Sequence, residues 1–423
     1  PVLFPGGYSY NQVGISGEYL TDWGNIRSNG YIPLGSTGES TGRFVSTNIL
    51  CVQGINAALG GADLEVGAYV PGLADWAGMI NVGGYTYGNT LYQLDTGADL
   101  VPFFGGVFTR IDLTFAQNWD FSLQYNNDSY FDSTGFARLT YRLGGSRRRN
   151  VPDQMEQPMM RNEHIVRAHQ NAEIAINPIN NQPWRVIHVN NTATAPGTGS
   201  ITNPLTSLDG ANGAETVANA QYDIIFVHQT GIAYSNTGGS PLFTFANSNQ
   251  YLIGEGSAQT IPTVSCGNIT VSTTVDSSLY PVLAPRANDT AIFIAPNRTG
   301  ETVSGFVINA SGTGIDSRST SGTNTLNDLT LNSGLTGISI VGSADYAISD
   351  SVFNSQTGTG LENNGAGTIQ LTSAAFTGIA GTAIETNNGT MVASEITVSD
   401  TAGSGIIVGG ANQANLALSA STI

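Results

Sequence analysis

Apolar and polar side chains alternate along most of the first third of the chain. In residues 118–126 the apolar side chains share one face and the polar ones the other, with Trp119, Phe121, Leu123 and Tyr125 against Asp120, Ser122 and Gln124. Side chains of a β-strand point to alternate faces, so this pattern predicts a two-faced strand. It recurs about eight times, in residues 13–23, 26–34, 49–59, 64–70, 79–87, 107–115, 118–126 and 137–143.

This alternation fits two kinds of antiparallel barrel. A soluble barrel turns its apolar face inward, whereas an outer-membrane barrel turns it outward to lipid. The strands run about nine residues, enough to cross a bilayer at a tilt. Aromatic residues lie near the strand ends, as in interfacial girdles: Trp23, Trp76, Tyr92, Trp119, Tyr130 and Phe131. We therefore predict an all-β protein whose residues 1–143 form an antiparallel outer-membrane-type β-barrel, complete or incomplete within this chain.

An internal repeat of 23 residues occupies the C-terminal half of the chain. One aliphatic row steps by 23, 23, 23 and 22 residues through Ile315, Ile338, Leu361, Ile384 and Ile406. A second apolar row keeps the step of 23 through Phe306, Leu329, Val352, Ala375 and Val398. A third row is formed by Asn309, Asn332 and Asn354, as in an asparagine ladder at a turn. This period, with short apolar strands and no room for a helix, is typical of a stacked solenoid. Residues 185–423 are predicted to form a right-handed parallel β-helix.

Composition narrows the function. Charged residues make up 11% of the chain, the net charge is −17, and every one of the basic residues is arginine. A nucleic-acid-binding surface is excluded by this acidity.

The chain contains no run of about 18 apolar residues, so no transmembrane helix is predicted, and no signal-peptide pattern opens the chain. The way the sequence begins and ends predicts a fragment or processed form of a longer protein. Cys51 and Cys266 lie far apart, and we expect both to be free.

Between the two patterns lies a joint at residues 144–184. It opens with the basic run 147–149, and residues 153–160 are predicted to form a short helix capped by Asp153 after Pro152. A polar stretch without glycine follows, and its candidate functional residues are Arg161, Asn162, Glu163, His164 and Arg167. On residue pattern alone, the stretch is equally compatible with an ordinary linker between domains.

The joint resembles the segment that leaves the translocator barrel in the intimin/invasin group of inverse autotransporters. The resemblance is carried by residues 159–166, Met-Met-Arg-Asn-Glu-His-Ile-Val, and by barrel-like strands such as residues 27–35, 63–71 and 136–143. The family barrel has more strands than are found here, and the missing ones are expected before Pro1. The resemblance implies that residues 144–184 plug the periplasmic mouth and carry the chain through the pore, and that the barrel-assembly machinery is a partner. The segments at 184–192, 197–208, 223–228 and 250–256 resemble the first coils of pectate-lyase-like β-helices.

The repeat also indicates which side chains stack in successive coils and could form a catalytic or metal-binding cluster. Asp316, Ser339, Glu362 and Glu385 directly follow the ladder aliphatics and should form one stacked row. Carboxylates one coil apart could recruit a metal cation or act as a retaining glycosidase pair, and Glu362 and Glu385 are the candidates. The alternative is a solvated acidic edge. Few arginines follow Arg185, so a lyase base is poorly supplied, and no cofactor is expected.

These patterns predict an outer-membrane-anchored surface protein that exports and displays a β-helix passenger. The barrel would contact the lipid bilayer, and the extracellular β-helix would serve adhesion or cell-surface structure through an unknown cell-surface or glycan ligand. We expect no enzymatic activity. The alternative is a carbohydrate-active β-helix enzyme, a polysaccharide lyase or glycosidase, at the cell surface. A porin with an appended domain fits less well, because the joint would fill its pore.

Overall fold

A computed structural model describes residues 10–35, 38–40, 42–93, 99–115, 118–141, 151–155, 165–210, 213–217, 222–236, 241–271 and 275–423. The protein is almost entirely β-structure, and the chain divides into two compact units. Residues Pro1–Gly42 and Gln53–Glu173 form one, which we call the sheet unit. Residues Arg43–Val52 and Ile174–Ile423 form the other, the solenoid unit.

The strands are numbered in chain order. Those up to residue 183 are β1 (Asn11–Leu20), β2 (Gly24–Leu34), β3 (Gly38–Ser40), β4 (Phe44–Val45), β5 (Asn48–Val52), β6 (Ile55–Ala58), β7 (Gly60–Tyr69), β8 (Met79–Gln93), β9 (Asp99–Phe115), β10 (Trp119–Asp128), β11 (Asp132–Tyr141), β12 (Arg167–Gln170), β13 (Glu173–Ile174), β14 (Ile176–Asn177) and β15 (Gln182–Pro183).

The later strands are β16 (Val186–Val189), β17 (Ile224–Val227), β18 (Phe243–Thr244), β19 (Tyr251–Gly254), β20 (Thr260–Thr263), β21 (Gly267–Thr270), β22 (Val282–Leu283), β23 (Ile292–Ile294), β24 (Thr302–Asn309), β25 (Thr313–Ser317), β26 (Thr323–Asn332), β27 (Thr336–Ile340), β28 (Asp345–Asn354), β29 (Thr359–Asn363), β30 (Thr368–Thr377), β31 (Ile384–Ser394), β32 (Thr397–Ser399) and β33 (Ile406–Ser419).

Helices are few and short. They are α1 (Val151–Met155), α2 (Ala214–Val217) and two 3-10 helices at Pro71–Trp76 and Ser277–Leu279. Helix α1 begins at Val151, so Asp153 lies inside it rather than capping it, and residues 156–160 of the predicted helix lie outside the described residues. None of the helices among the described residues has the length and apolar character needed to cross a bilayer.

The sheet unit is built on one seven-stranded antiparallel sheet in the order β1-β2-β7-β8-β9-β10-β11. Strand β1 pairs with β2 over ten residues, and β10 pairs with β11 over another ten. Residues Ile55–Ala58, by contrast, pair in a small separate sheet with β3 and β12. A closed barrel is not formed by the described strands, because β1 and β11 pair with different neighbours and not with each other.

The predicted strand at residues 49–59 is wrong. Residues Asn48–Val52 belong to the solenoid unit as β5, and Ile55–Ala58 form β6 of the sheet unit. The alternation is interrupted at Gln53 and Gly54, where the backbone leaves the strand conformation. The chain therefore enters the solenoid unit briefly at residues 43–52, long before the main solenoid begins.

The solenoid unit is a parallel β-solenoid of the right-handed type with about eight turns. The predicted aliphatic ladder is confirmed, because each residue pairs with the next one in the following coil. The row runs from Ile315 through Ile338, Leu361 and Ile384 to Ile406. The first four of these side chains are fully buried. Stacked rows of this kind bury apolar surface continuously along the axis, which is what holds a solenoid together.

The second predicted ladder is confirmed at two of its four steps. Phe306 pairs with Leu329 and Val352 pairs with Ala375, but Val352 is the partner of Thr330 and Val398 is the partner of Phe376. The buried row is Ile308, Leu331, Phe353, Phe376 and Val398, in which each residue pairs with the next. Val352 and Ala375 are only half-buried. The cause is a change in turn length: the turn before β26 spans residues 318–322, whereas the turn before β28 spans residues 341–344. A constant step of 23 residues therefore selects the wrong face after Leu329.

The predicted asparagine row is confirmed. The Nδ2 of Asn332 donates to Oδ1 of Asn309 at 3.1 Å, and Nδ2 of Asn354 donates to Oδ1 of Asn332 at 3.0 Å. A bend also recurs from coil to coil, where one residue adopts positive φ. These residues are Gly305, Asp328, Asp350 and Ser373 within β24, β26, β28 and β30, and Glu395 between β31 and β32. Only glycine adopts such angles freely. The coil shape is therefore imposed by stacking and not by local preference alone.

The expectation that both cysteines are free is wrong. Cys51 and Cys266 form a disulfide across a sequence separation of 215 residues. It joins β5 to the turn between β20 and β21, and both ends belong to the solenoid unit. Because residues 43–52 pack against the first coils, two cysteines that are distant in sequence come together. Sequence spacing alone gave no indication of this.

Candidate functional site

The large sheet has an exposed apolar face. In β10, Trp119, Leu123 and Tyr125 are exposed while Ser122 is 8% exposed. The division of β10 predicted from its alternation is therefore confirmed, with Phe121 half-buried. All six remaining strands of the sheet contribute apolar side chains to the same face. The exposed ones include Val13, Ile15, Ile26, Ile32, Leu64, Val66, Ile80, Val82, Phe103, Val107, Ile111, Leu139 and Tyr141.

The opposite face of the sheet carries what we call the polar ribbon: Glu18, Arg27, Glu65, Asn81, Arg110, Asp112 and Ser122. Glu65 is 3% exposed, and its Oε1 accepts from Arg27 at 2.9 Å and from Arg110 at 2.8 Å. Both guanidiniums have a second carboxylate, because Arg27 pairs with Glu18 at 2.7 Å and Arg110 with Asp112 at 2.9 Å. Buried charges are tolerated when paired in this way.

Neutral groups extend the polar ribbon toward β10. The Nδ2 of Asn81 donates to Asp112 at 2.8 Å, and the hydroxyl of Ser122 donates to the other oxygen of Asp112. Gly67 makes room for this layer, since a Cβ at that position would lie 2.1 Å from Oδ1 of Asn81. The polar face therefore depends on a small residue in β7 as well as on charged ones.

The joint residues fall partly outside the described part of the chain. Arg161, Asn162, Glu163 and His164 lie outside the described residues. Arg167 begins β12, which pairs with β6 in the sheet unit, and its side chain is exposed. A segment inside a pore should be shielded from solvent, and Arg167 is not. The passage of residues 161–164 through a pore stays a prediction.

The predicted polar row of the solenoid is confirmed in register. Asp316, Ser339, Glu362 and Glu385 are partners in successive coils, and all four are half-buried. Asp316 pairs with Arg318 at 3.0 Å, and the Arg318 guanidinium lies 5.5 Å from the centre of the Phe293 ring. The row is thus a strip of carboxylate and hydroxyl side chains along one outer face of the solenoid.

The two candidate carboxylates in this row already have hydrogen-bond donors. Glu362 accepts from Asn364 at 2.8 Å and from Ser339 at 3.3 Å, and Glu385 accepts from Asn387 at 2.8 Å. Asn387 also donates to Asn364 at 3.0 Å. The amides thus tie the two carboxylates into one network of the kind that stabilises a polar surface.

Sequence reasoning missed two buried polar groups in the solenoid unit. One is His188 with His228 and Glu255, carried by β16, the residue after β17 and the residue after β19. The other is Glu301, which is fully buried and accepts from the backbone N–H of Gln250 at 3.0 Å. Burial raises the pKa of Glu301 from 4.5 to about 8. Both lie in the irregular first coils, where no constant period aligns residues, so no sequence signal pointed to them.

No protein-family model, curated protein or solved structure matches the chain. The resemblance to inverse autotransporters therefore rests on the residue patterns quoted above.

Proposed function

We propose that the protein is a surface protein anchored in an outer membrane, with the large sheet as part of a membrane β-barrel and the solenoid as an extracellular passenger. The observation that carries this proposal is the reversed polarity of the sheet. Val82 is 56% exposed while its neighbour Asn81 is fully buried. A soluble sheet buries its apolar face, whereas a lipid-facing barrel strand exposes it and turns polar groups inward.

The size of the apolar face supports the same proposal. Exposed contiguous apolar patches of this extent are rare on soluble monomers and mark interaction surfaces. Strands β1, β10 and β11 each have ten residues, the length that spans a bilayer at a tilt. A bilayer is therefore the partner whose chemistry fits the face, and barrel insertion would require the host assembly machinery.

The disulfide supports an extracellular solenoid. Disulfides persist in oxidising compartments and are rare in the reducing cytosol. Cys51 and Cys266 are paired within the solenoid unit, which fits display outside the cell. The outer strips of the solenoid, rich in Thr, Asn and carboxylates, offer hydrogen-bonding groups to a cell-surface or glycan ligand. The proposed role of the solenoid is adhesion or surface architecture.

The membrane proposal is tested by tryptophan quenching. The full chain is reconstituted in vesicles whose lipids carry bromine on the acyl chains, which quenches tryptophan at close range. Trp23, Trp76 and Trp119 are exposed in the sheet unit, while Trp184 is fully buried in the solenoid unit. We expect strong quenching of the wild-type chain relative to vesicles without bromine.

The matched control replaces the three exposed tryptophans with phenylalanine and keeps Trp184. We expect this variant to lose the bromine-dependent quenching while it binds vesicles as before. The proposal fails if the wild-type chain is not quenched, or if the variant with Trp184 alone is quenched equally.

A second candidate function is cleavage of a polysaccharide, because Glu362 and Glu385 are direct partners in adjacent coils. We expect no turnover of pectin-like or other acidic polysaccharides. Measurable cleavage that is lost in Glu362→Gln or Glu385→Gln, but kept in Glu395→Gln on another outer strip, would favour the enzyme over the display protein.

A further inference from the structure

Residues 43–52, which we call the cap, cover the first coil of the solenoid. The N–H of Val186 donates to the carbonyl of Thr47 at 2.8 Å, and the N–H of Ile201 donates to that of Ser46 at 3.0 Å. Asn48 and Arg185 form an antiparallel bridge. The cap thereby occupies an edge of the first solenoid strand, and solenoids require such capping at their ends.

A histidine lies directly beneath the cap. His188 in β16 is fully buried, and the Phe44 ring of the cap meets it edge-on with 4.8 Å between ring centres. Phe226 packs 5.6 Å away on the next coil. The imidazole is therefore enclosed by aromatic rings on two sides.

The hydrogen bonds around His188 assign its proton. The Oε2 of Glu255 lies 3.5 Å from Nδ1 of His228, which favours a proton on that nitrogen. The Nε2 of His228 then accepts from Nδ1 of His188 at 3.2 Å. His188 therefore carries its proton on Nδ1, and its Nε2 is a bare acceptor. That Nε2 is buried and has no hydrogen-bond partner among the described residues.

A second proton on His188 has to go to Nε2, which is buried and faces no acceptor among the described residues. Burial lowers the pKa of His188 from 6.5 to about 3, and His228 adds to this, while the Glu255 carboxylate acts in the opposite direction. The other titratable groups of the cap and the neighbouring loop are already engaged: Arg43 donates to the carbonyl of Leu50, and Tyr234 donates to the carbonyl of His228. A positive charge is therefore disfavoured as long as the cap is closed.

We propose that the cap is an acid-sensitive lid on the solenoid, and that His188 is the group whose protonation opens it. The closed form holds His188 neutral, whereas the open form exposes Nε2 to water and lets it take a proton. Closing is therefore fully favoured above about pH 6.5 and progressively less favoured as the pH falls toward about 3.

The disulfide makes this opening reversible. Cys51, at one end of the cap, stays bound to Cys266, so only the part around Phe44 and Thr47 leaves the coil. Opening uncovers the backbone edge at Val186, which can then pair with another strand. The inference concerns the solenoid unit alone and is independent of the membrane proposal.

Amide hydrogen exchange at Val186 and Ile201 tests the proposal in the full chain, after correction for the intrinsic exchange rate at each pH. We expect opening to increase about tenfold between roughly pH 7 and pH 5.5. In His188→Phe, which keeps an aromatic ring between Phe44 and Phe226, the increase should fall below about twofold. His169→Phe is the matched control, because His169 is exposed in the sheet unit, and it should behave as wild type.

Two outcomes would overturn the proposal. One is equal acid-dependent exchange in the wild type and in His188→Phe, which would assign the effect to carboxylates. The other comes from the nitrogen chemical shifts of His188 in the unmodified chain, a measurement that needs no variant to fold. A charged His188, or a proton on Nε2 at neutral pH, would contradict the assignment.

Discussion

Apolar and polar side chains alternate along the strands of both units, but the sheet unit buries the polar face and the solenoid unit buries the apolar face. In the sheet unit Val82 is 56% exposed and its neighbour Asn81 is fully buried. In the solenoid unit Ile338 is fully buried and its neighbour Ser339 is half-buried on the outside. Alternation thus identifies the two faces of a strand, but which face is buried depends on what lies beyond the strand.

The units also differ in how their buried rows are held together. In the sheet unit, opposite charges face each other across antiparallel strands, as Glu65 does with Arg27 and Arg110. In the solenoid unit, similar side chains stack from coil to coil, as Phe353 does on Phe376 with 4.3 Å between ring centres. Removing one member should therefore break buried ion pairs in the first unit and leave a cavity in the second.

The largest effect is expected from a cavity in the solenoid. Phe353→Ala removes a fully buried ring stacked at 8° to its neighbour and should lower the free energy of unfolding by about 4 kcal/mol. Urea unfolding followed by the fluorescence of Trp184 measures it. Val341→Ala, on an exposed position of the same unit, should cost less than about 0.5 kcal/mol. Similar costs for the two would mean that the ladder is not the core.

Breaking the polar ribbon should have the next largest effect. Glu65→Gln removes the carboxylate that Arg27 and Arg110 share and leaves each guanidinium with one remaining carboxylate, Glu18 or Asp112. Losing two charge-assisted hydrogen bonds at about 1.5 kcal/mol each should cost about 3 kcal/mol. Unfolding of the reconstituted chain, followed by circular dichroism, measures the loss. The control is Asp132→Asn, which makes the same chemical change on an exposed residue of the same sheet. If both variants unfold alike, the ribbon contributes nothing to the stability of the sheet unit.

The third prediction concerns pH. Burial raises the pKa of Glu301 to about 8, so the folded chain keeps a proton that the unfolded chain releases above about 4.5. The stability of the solenoid unit should therefore fall as the pH rises from about 4.5 to 8, and about 2 kcal/mol of this fall is expected between about pH 6 and pH 8. Glu301→Gln should flatten this slope, as seen in urea unfolding at several pH values. Glu395→Gln on the surface should keep the slope, and a slope unchanged in both variants would rule out Glu301 as its source.

The smallest effect is expected at the asparagine ladder. Asn332→Ala removes one amide that donates to Asn309 and accepts from Asn354, and should cost about 1 kcal/mol. Thr330→Ala in the same strand lies outside the ladder and serves as the control in the same urea titration. If the loss in the free energy of unfolding is no larger than that of the control, the asparagine row does not stabilise the coils.

The sequence predicted those parts of the fold that depend on a constant period. The row from Ile315 to Ile406 and the asparagine row follow from spacing alone, and so does the division of β10 into two faces. The buried row from Ile308 to Val398 could not be predicted, because the turn before β28 is one residue shorter than the turn before β26 and shifts the residues of β28 by one position relative to a constant step of 23. The Cys51–Cys266 pair and the cap were also missed, since they depend on contacts between segments more than a hundred residues apart, which local pattern does not encode.

The candidate sites also divide into those that follow from the constant period of the repeat and those that do not. Glu362 and Glu385 were placed correctly because they lie in the regular coils. His188, His228 and Glu255 lie in coils of unequal length, so no spacing rule brings them together. Arg167 of the joint is exposed, because β12 pairs with β6 at an edge of the small sheet and leaves the side chain in solvent.

The route of the chain through the two units has a consequence for proteolytic release of the solenoid unit, if that unit is displayed on a cell as proposed. Residues 53–173 are inserted between two parts of the solenoid unit, and Cys51 is bonded to Cys266. A protease that cuts once near residue 171 would therefore yield two fragments that stay covalently joined. On a denaturing gel they should run as one species without reductant and as two with it. Shedding of the solenoid from a cell would then require both a cut and a reducing agent.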